Sequence, residues 1–127
     1  MTDAELVKAA AERVMGWKVE SKRAIGIPGR EMWKLSRPGK SSEYYWPDCE
    51  GGGGTGYGWN PLNNEADCWM LVDKLVPNHL TVKVEHLGPN DGRWCVSFPH
   101  SVRGYEADPD RRRAIVLAAI KATGGAV

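Results

Sequence analysis

The chain has 127 residues, which is the size of one domain with a single hydrophobic core. Its 17 basic residues nearly balance its 16 acidic residues, and this disfavours duplex DNA as a partner as well as an acidic mimic of DNA. No apolar run is long enough to span a membrane, no signal peptide is predicted, and three cysteines are too few for a disulfide scaffold. We therefore expect a protein of a reducing cytoplasm with no membrane partner.

The first predicted element is a helix over residues 2–15 that has a sequence signal at each end. Thr2 and Glu5 have the spacing of a capping box, in which each side chain binds the other residue's backbone N–H group. Gly16 suits the position just after the last turn, where a left-handed backbone is favoured. Four apolar residues recur at helical spacing and predict a buried face: Leu6, Ala9, Ala10 and Val14.

Residues 17–58 predict short strands and loops, because glycine and proline recur there too often for a helix. Residues 31–35 and 43–46 are the predicted strands, and the turn-rich residues 36–41 connect them. Residues 51–58 are rich in glycine and predict a long loop.

A second helix is predicted over residues 64–76, with Asn63 or Asn64 as its N-terminal cap. Helical spacing predicts an apolar stripe along one side of this helix. The stripe consists of Ala66, Trp69, Val72 and Val76, widened by Met70 and Leu71.

Residues 79–98 alternate between apolar and polar side chains on both sides of a turn at residues 88–92. This pattern predicts a β-hairpin, and it is the clearest strand signal in the chain. Trp94 lies on the apolar face of the second strand, so we expect Trp94 and Trp69 to be core residues.

The last predicted helix covers residues 108–123. Asp108 is the expected N-terminal cap, Pro109 suits the first helical position, and Gly124 suits the position after the last turn. Its predicted buried face consists of Ile115, Ala118, Ala119 and Ala122.

Helices that alternate with antiparallel strands predict an α+β fold. Four stretches support a more specific interpretation: residues 14–17 (VMGW), 59–75 (WNPLNNEADCWMLVDKL), 94–98 (WCVSF) and 106–124 (EADPDRRRAIVLAAIKATG). Together they resemble the phage ABA sandwich domain family of small bacteriophage proteins. The resemblance implies a three-layer α/β/α sandwich with an antiparallel sheet, a phage origin and no catalytic motif. It does not extend over residues 18–58, so we expect a single domain with an insertion there.

The glycine-rich residues 51–58 lack the specific patterns of phosphate-binding loops. A Walker loop needs lysine and then serine or threonine directly after its last glycine, and the Gly-Lys-Ser triplet at residues 39–41 lacks the earlier glycine. Two interpretations stay open: a flexible loop, or a lid in which Gly53, Gly54 and Thr55 contact a ligand.

The cysteines and histidines are scattered along the chain without the spacing of metal ligands, so we expect neither a metal nor a cofactor. Cys49 lies between Asp48 and Glu50, and neighbouring carboxylates raise the pKa of a thiol instead of activating it. A small hydrolase built around Cys49 or the histidines is therefore the weakest of three functional interpretations.

Aromatic residues near the loop are the first part of a candidate ligand site. Trp46, Tyr57 and Trp59 flank the loop in turn-rich sequence. Aromatic side chains in such places stack on bases or anchor a protein partner. The same residues also suit the edge of the core, and the sequence does not separate these alternatives.

Arginines are the second part of the candidate site. Arg111, Arg112 and Arg113 lie at the start of the last helix, where positive charge opposes the helix dipole and favours a nearby anion. Local carboxylates are one source of that anion, namely Glu106, Asp108 and Asp110. The other source is a phosphate or carboxylate ligand, to which Arg93 and Arg103 would also contribute.

These features predict a phage-encoded binding protein of the host cytoplasm and not an enzyme. We expect a counter-defence factor that sequesters a small anionic, nucleotide-like immune signal, in a pocket shared between copies of a homo-oligomer. The alternative is a protein inhibitor that docks Trp46, Tyr57 and Trp59 on a host defence nuclease or effector.

Overall fold

The structure is a computed structural model that describes residues 2–23, 31–45, 59–75, 82–98 and 105–123. Within these ranges the chain forms three helices and two three-stranded antiparallel sheets, so the predicted α+β class is confirmed. The three-layer order of the sandwich and the single-domain organisation stay predictions. No helix in the described ranges has both the length and the apolar character that crossing a membrane requires.

Helix α1 spans Asp3–Ala9 and continues as a π-helical segment over Ala10–Val14. The Thr2 hydroxyl accepts a hydrogen bond from the Glu5 N–H group, and the Glu5 carboxylate accepts one from the Thr2 N–H group, which confirms the capping box. At the other end Gly16 has a φ of +73°, as predicted for the residue after the last turn.

The first sheet has the strand order β1 (Lys18–Arg23), β2 (Glu31–Ser36) and β3 (Glu43–Tyr45). The two predicted strands of this region are confirmed within the described residues, whereas β1 was not predicted as a separate strand. Leu35 and Tyr45 of this sheet are buried in the same hydrophobic cluster as the helices. This sheet therefore contributes to the core of the protein.

The second sheet contains β4 (Lys83–His86), β5 (Trp94–Ser97) and β6 (Tyr105–Asp108). The predicted hairpin is confirmed in residues 82–98, where β4 pairs with β5. The Gly92 N–H group donates to the Gly88 carbonyl at 3.0 Å across the turn. Strand β6 was not predicted, because its alternation of apolar and polar residues extends over only four residues and Asp108 at its end was assigned as the cap of the last helix.

Helix α2 spans Glu65–Leu75, and the Asn64 side chain accepts a hydrogen bond from the Asp67 N–H group, which confirms Asn64 as the cap. The predicted apolar stripe is confirmed at Leu71 and Val72 and wrong at Ala66 and Trp69, while Val76 lies outside the described residues. Ala66 is exposed and Trp69 is 36% exposed, so Trp69 is not a core residue. The buried side chains are Cys68, Leu71, Val72 and Leu75. The buried side of the helix is therefore shifted toward Cys68 and Leu75 and still includes Leu71 and Val72.

Helix α3 spans Arg111–Ala122 and is buried on all sides, because the seven consecutive residues from Ala114 to Ile120 are all buried. It contacts β5 and β6 as well as α1, the π-helical segment and α2. The predicted buried face is therefore only one part of the buried surface of α3. The predicted cap is also wrong: Asp108 belongs to β6, and Asp110 is the cap because its carboxylate accepts a hydrogen bond from the Arg113 N–H group.

Residues 59–62 precede α2 and contact the first sheet. The Trp59 N–H group donates to the Tyr44 carbonyl at 2.7 Å, and the Asn60 N–H group donates to the Asp67 carboxylate at 2.9 Å. The Trp59 indole packs edge-on against that of Trp17, with 4.9 Å between the ring centroids. This segment therefore ties β3, α2 and the end of the first helix together.

Two aspartates should shift the pH dependence of stability in opposite directions. Burial raises the pKa of Asp67, because the folded state disfavours the charged carboxylate. The contribution of Asp67 to the free energy of unfolding therefore falls as the pH rises above about 4. A hydrogen bond from Arg93 lowers the pKa of Asp91, so its stabilising contribution is lost as the pH falls below about 4. We expect Asp67→Asn to flatten the first change only and Asp91→Asn the second only.

Urea unfolding midpoints across this pH range measure both changes, and each variant is the control for the other. Equal pH profiles for the wild type and Asp67→Asn would contradict the assignment of the first change to Asp67.

Candidate anion-binding site

Five side chains from α2, α3 and β5 form what we call the Arg–Trp cluster. They are Glu65 and Trp69 in the first turns of α2, Arg111 and Arg112 at the start of α3, and Trp94 at the start of β5. The caps at Asn64 and Asp110 place the first turns of both helices at this point. The cluster therefore depends on local helix starts that the sequence specifies well.

One carboxylate in the cluster forms ion pairs with two guanidinium groups. Glu65 Oε1 accepts hydrogen bonds from Arg111 Nη2 and from Arg112 Nε, the latter at 3.0 Å. Its other oxygen, Oε2, accepts from the indole Nε1 of Trp69 at 2.9 Å. The three charged groups together have one positive charge in excess. Each is between 34% and 39% exposed, so this excess charge faces solvent and is accessible to an anion.

The Trp94 indole is the aromatic wall of the cluster. It is half-buried, and the Arg111 guanidinium lies 5.9 Å from its ring centroid. The exposed His86 ring packs edge-on against the indole, with 5.0 Å between the centroids. The prediction that Trp94 belongs to the core is met only in part, since its half-buried indole packs against the core and also contacts Arg111.

Arg113 has different partners from the two arginines before it. Its Nη1 donates to the Asp3 carboxylate at 2.5 Å, and its Nε lies 3.7 Å from the Asp108 carboxylate. This pairing joins the first turn of α1 to the start of α3. Of the predicted local partners, Glu106 instead pairs with Lys121 at 2.6 Å. Arg113 therefore holds two helices together.

The remaining predicted site residues are placed as follows. Arg93 forms two hydrogen bonds with the Asp91 carboxylate on the hairpin turn, at 2.5 and 3.0 Å. Trp59 is only 1% exposed, so its ring does not reach the surface, and its Nε1 has no hydrogen-bond partner among the described residues. The other predicted residues lie outside the described ranges: Trp46, Tyr57, Gly53, Gly54, Thr55 and Arg103.

Three cluster residues were not predicted as site residues: Glu65, and the two tryptophans Trp69 and Trp94, which were expected in the core. Glu65 lies 46 residues before Arg111 in the chain, so spacing alone gives no sign of their contact. The Trp69–Glu65 hydrogen bond does have a sequence signal, because residues four apart on a helix are neighbours. That spacing explains why the Trp69 indole lies on the solvent side of α2.

The Cys68 thiol should be unreactive in the folded protein. Burial, and then the negative charge of Glu65, raise its pKa to about 12, so roughly one molecule in 10,000 holds the thiolate at pH 8. We expect a disulfide reagent to label Cys68 only after unfolding, which peptide mass mapping with and without urea measures. Labelling at equal rates in both conditions would contradict this.

Known proteins give no guide to this site. The chain has no match among models of protein families, curated proteins or solved structures. The resemblance to the phage ABA sandwich domain family stays a prediction. Among the described residues, no group of three histidines, cysteines or carboxylates is arranged to hold a metal ion.

Proposed function

We propose that the protein is a non-enzymatic binding protein for a small anion with a planar ring, such as a nucleotide. One observation supports this most strongly: Arg111 and Arg112 share the single carboxylate of Glu65 beside two partly exposed indoles. Arginine suits phosphate and carboxylate because its planar guanidinium offers paired donors. An incoming anion would take over one guanidinium from Glu65.

The indoles supply the second half of the recognition. Trp94 has an arginine at its ring and Trp69 is anchored at its Nε1, so both rings are held in place before a ligand arrives. Stacking of a base on an aromatic side chain contributes about 1–3 kcal/mol. A ligand with both a ring and an anionic group is therefore favoured over inorganic phosphate.

For the biological role, we propose a phage counter-defence factor that sequesters a nucleotide-like immune signal in the host cytoplasm. The resemblance to phage proteins and the absence of an activated nucleophile in the cluster support this role. A homo-oligomer would suit it, because a second copy could cover a cluster that is one-third exposed. Native mass spectrometry of protein isolated from defence-active host cells measures both the subunit number and any retained small molecule.

A protein inhibitor is the second candidate, and one observation favours it. Trp69 and Leu87 are the large apolar side chains that are exposed in the described ranges, at 36% and 39%. Tryptophan and arginine are also common in the energetic centres of protein interfaces. Trp59 is buried and cannot belong to the docking surface of an inhibitor. We place Trp69 and Trp94 on that surface instead. For the hydrolase, the candidate nucleophile Cys49 lies outside the described ranges, and that alternative stays a prediction.

Titration with adenosine 5′-monophosphate, followed by tryptophan fluorescence, tests the proposed ligand class. We expect Arg111→Ala combined with Arg112→Ala to weaken binding at least about tenfold, because two charge-assisted contacts are lost. Lys8→Ala is the matched control, since Lys8 of α1 pairs at the surface with Glu12 of the π-helical segment.

Equal affinity in the double variant and the wild type would overturn the assignment to the Arg–Trp cluster. Wild-type protein that binds neither this nucleotide nor its di- and triphosphate would overturn the ligand class. A host protein that co-purifies with the wild type but not with Trp69→Ala would instead support the inhibitor.

A further inference from the structure

A second concave site lies away from the Arg–Trp cluster, between the end of the first helix, the turn from β2 to β3, and α2. This pocket, which we call the Met–Lys pocket, has a volume of about 330 Å³. Its wall includes Met15, Trp17, Arg37, Lys40, Met70 and Lys74. None of these residues belongs to the Arg–Trp cluster.

The charged side chains that line the Met–Lys pocket are all cationic in the described part of the chain. Arg37, Lys40 and Lys74 are cations, and no carboxylate is among the described residues that line the pocket. Within the described part of the chain, no carboxylate lies within ion-pair distance of Lys40 or Lys74. Among the described residues these two ammonium groups therefore have no carboxylate partner, and an anion in the pocket would neutralise their charge.

Arg37 is held in a fixed orientation at the pocket wall. Its Nη2 lies 3.2 Å from the Glu43 carboxylate, and its Nε donates to the Ser41 carbonyl at 2.8 Å. The guanidinium lies 5.7 Å from the ring centroid of Trp17, whose indole is itself nearly buried. This wall of the pocket is therefore ordered before any ligand arrives, which lowers the entropic cost of binding.

The rest of the wall is apolar. Met15 and Met70 are half-buried and pack against the core, and they leave part of their side chains facing the pocket. Methionine adapts to the shape of a ligand, and its sulfur makes favourable contacts with aromatic rings. Ligand pockets commonly have volumes of roughly 300–1,000 Å³, so this one suits a ligand with one or two rings.

We propose that the Met–Lys pocket is a binding site for a small aromatic anion, with its ring against Met15 and Met70 and its acidic group between Lys40 and Lys74. The site is independent of the proposed nucleotide site, because the two share no side chain. If ligand binding is disproved at one of the two sites, the proposal for the other site still stands.

Titration with 2-naphthalenesulfonate tests the pocket, with methyl NMR of methionine-labelled protein as the measurement. The chain has four methionines, and Met15→Leu and Met70→Leu assign the two signals of interest. We expect the Met15 and Met70 methyl signals to shift through the ring current of the probe while the Met32 signal on β2 stays in place. Neutral 2-naphthol and inorganic sulfate should each bind at least about tenfold more weakly, because 2-naphthol lacks the anionic group and sulfate lacks the aromatic ring.

Variants then separate this site from the first one. Lys40→Ala combined with Lys74→Ala should weaken the probe about tenfold, whereas the exposed Lys83→Ala should have no effect. Arg111→Ala combined with Arg112→Ala should leave the Met15 and Met70 shifts unchanged. The proposal is overturned if these methyl signals do not move at saturating probe, if 2-naphthol binds as tightly as the sulfonate, or if the double lysine variant binds normally.

Discussion

Replacing Trp59 by alanine is expected to lower the free energy of unfolding by about 3–5 kcal/mol. The Trp59 side chain is 1% exposed and packs edge-on against Trp17, so its removal leaves a cavity at the junction of β3 and α2. Because small domains have a total stability of about 5–15 kcal/mol, this loss is a large fraction of the whole. Urea unfolding monitored by circular dichroism measures it.

Trp69→Ala is the matched control, because the same side chain is removed from an exposed position. We expect it to cost less than about 1 kcal/mol, as surface substitutions commonly do. Trp59→Phe provides a variant that still folds. It keeps most of the apolar volume and removes a buried Nε1 that has no partner among the described residues, so its cost should be well below that of alanine. If Trp59→Ala were as stable as the wild type, Trp59 would not be a core residue.

Glu65→Gln is expected to tighten anion binding at the Arg–Trp cluster while it slightly destabilises the fold. Glutamine keeps the size of the side chain but removes the carboxylate that neutralises Arg111 and Arg112. Two unit charges about 4 Å apart interact by about 4 kcal/mol near a protein surface, and solvent reduces this strongly for groups that are one-third exposed. We therefore expect the affinity for adenosine 5′-monophosphate to rise about tenfold.

The stability cost should stay below about 1 kcal/mol, because partly exposed ion pairs contribute little. Opposite changes in affinity and stability distinguish a binding cluster from a purely structural one. Glu85→Gln is the control, since Glu85 pairs with the exposed Lys83 on β4. Unchanged or weaker binding in Glu65→Gln would show that Glu65 does not compete with the ligand.

The parts of the fold that the sequence predicts well are those determined by neighbours in the chain. The capping box of Thr2 and Glu5, the cap at Asn64 and the hairpin turn closed by Gly88 and Gly92 each involve residues a few positions apart. Such signals depend on backbone hydrogen bonds and on φ angles that few residues adopt.

The errors arise where a choice depends on distant partners. Helical spacing allows several apolar faces on α2, and contact with the rest of the core selects Cys68 and Leu75 over Ala66 and Trp69. In α3, apolar residues and alanines leave several faces suitable for burial, and only the surrounding elements show that all of them are used. For the same reason the partner of Arg111 was not predicted.

In the candidate site too, local sequence signals predicted some residues correctly, and choices that depend on distant partners were missed. Arg111 and Arg112 were predicted from their position at a helix start, and the structure places both at one carboxylate. Trp59 was predicted from its turn-rich surroundings, although a residue shortly before a helix is equally suited to anchor a core. Aromatic residues give the same sequence signal in both situations.

The central position of α3 has a consequence for how the chain folds during synthesis. A ribosome makes α1, both sheets and α2 before it makes α3. Both α1 and α2 nevertheless contact α3 in the folded protein. The ion pair between Asp3 and Arg113 closes a loop of 110 residues, a distant contact that forms slowly. The nascent chain therefore exposes apolar surface until its last described helix emerges, and fragments that end before Arg111 should need a chaperone to stay in solution.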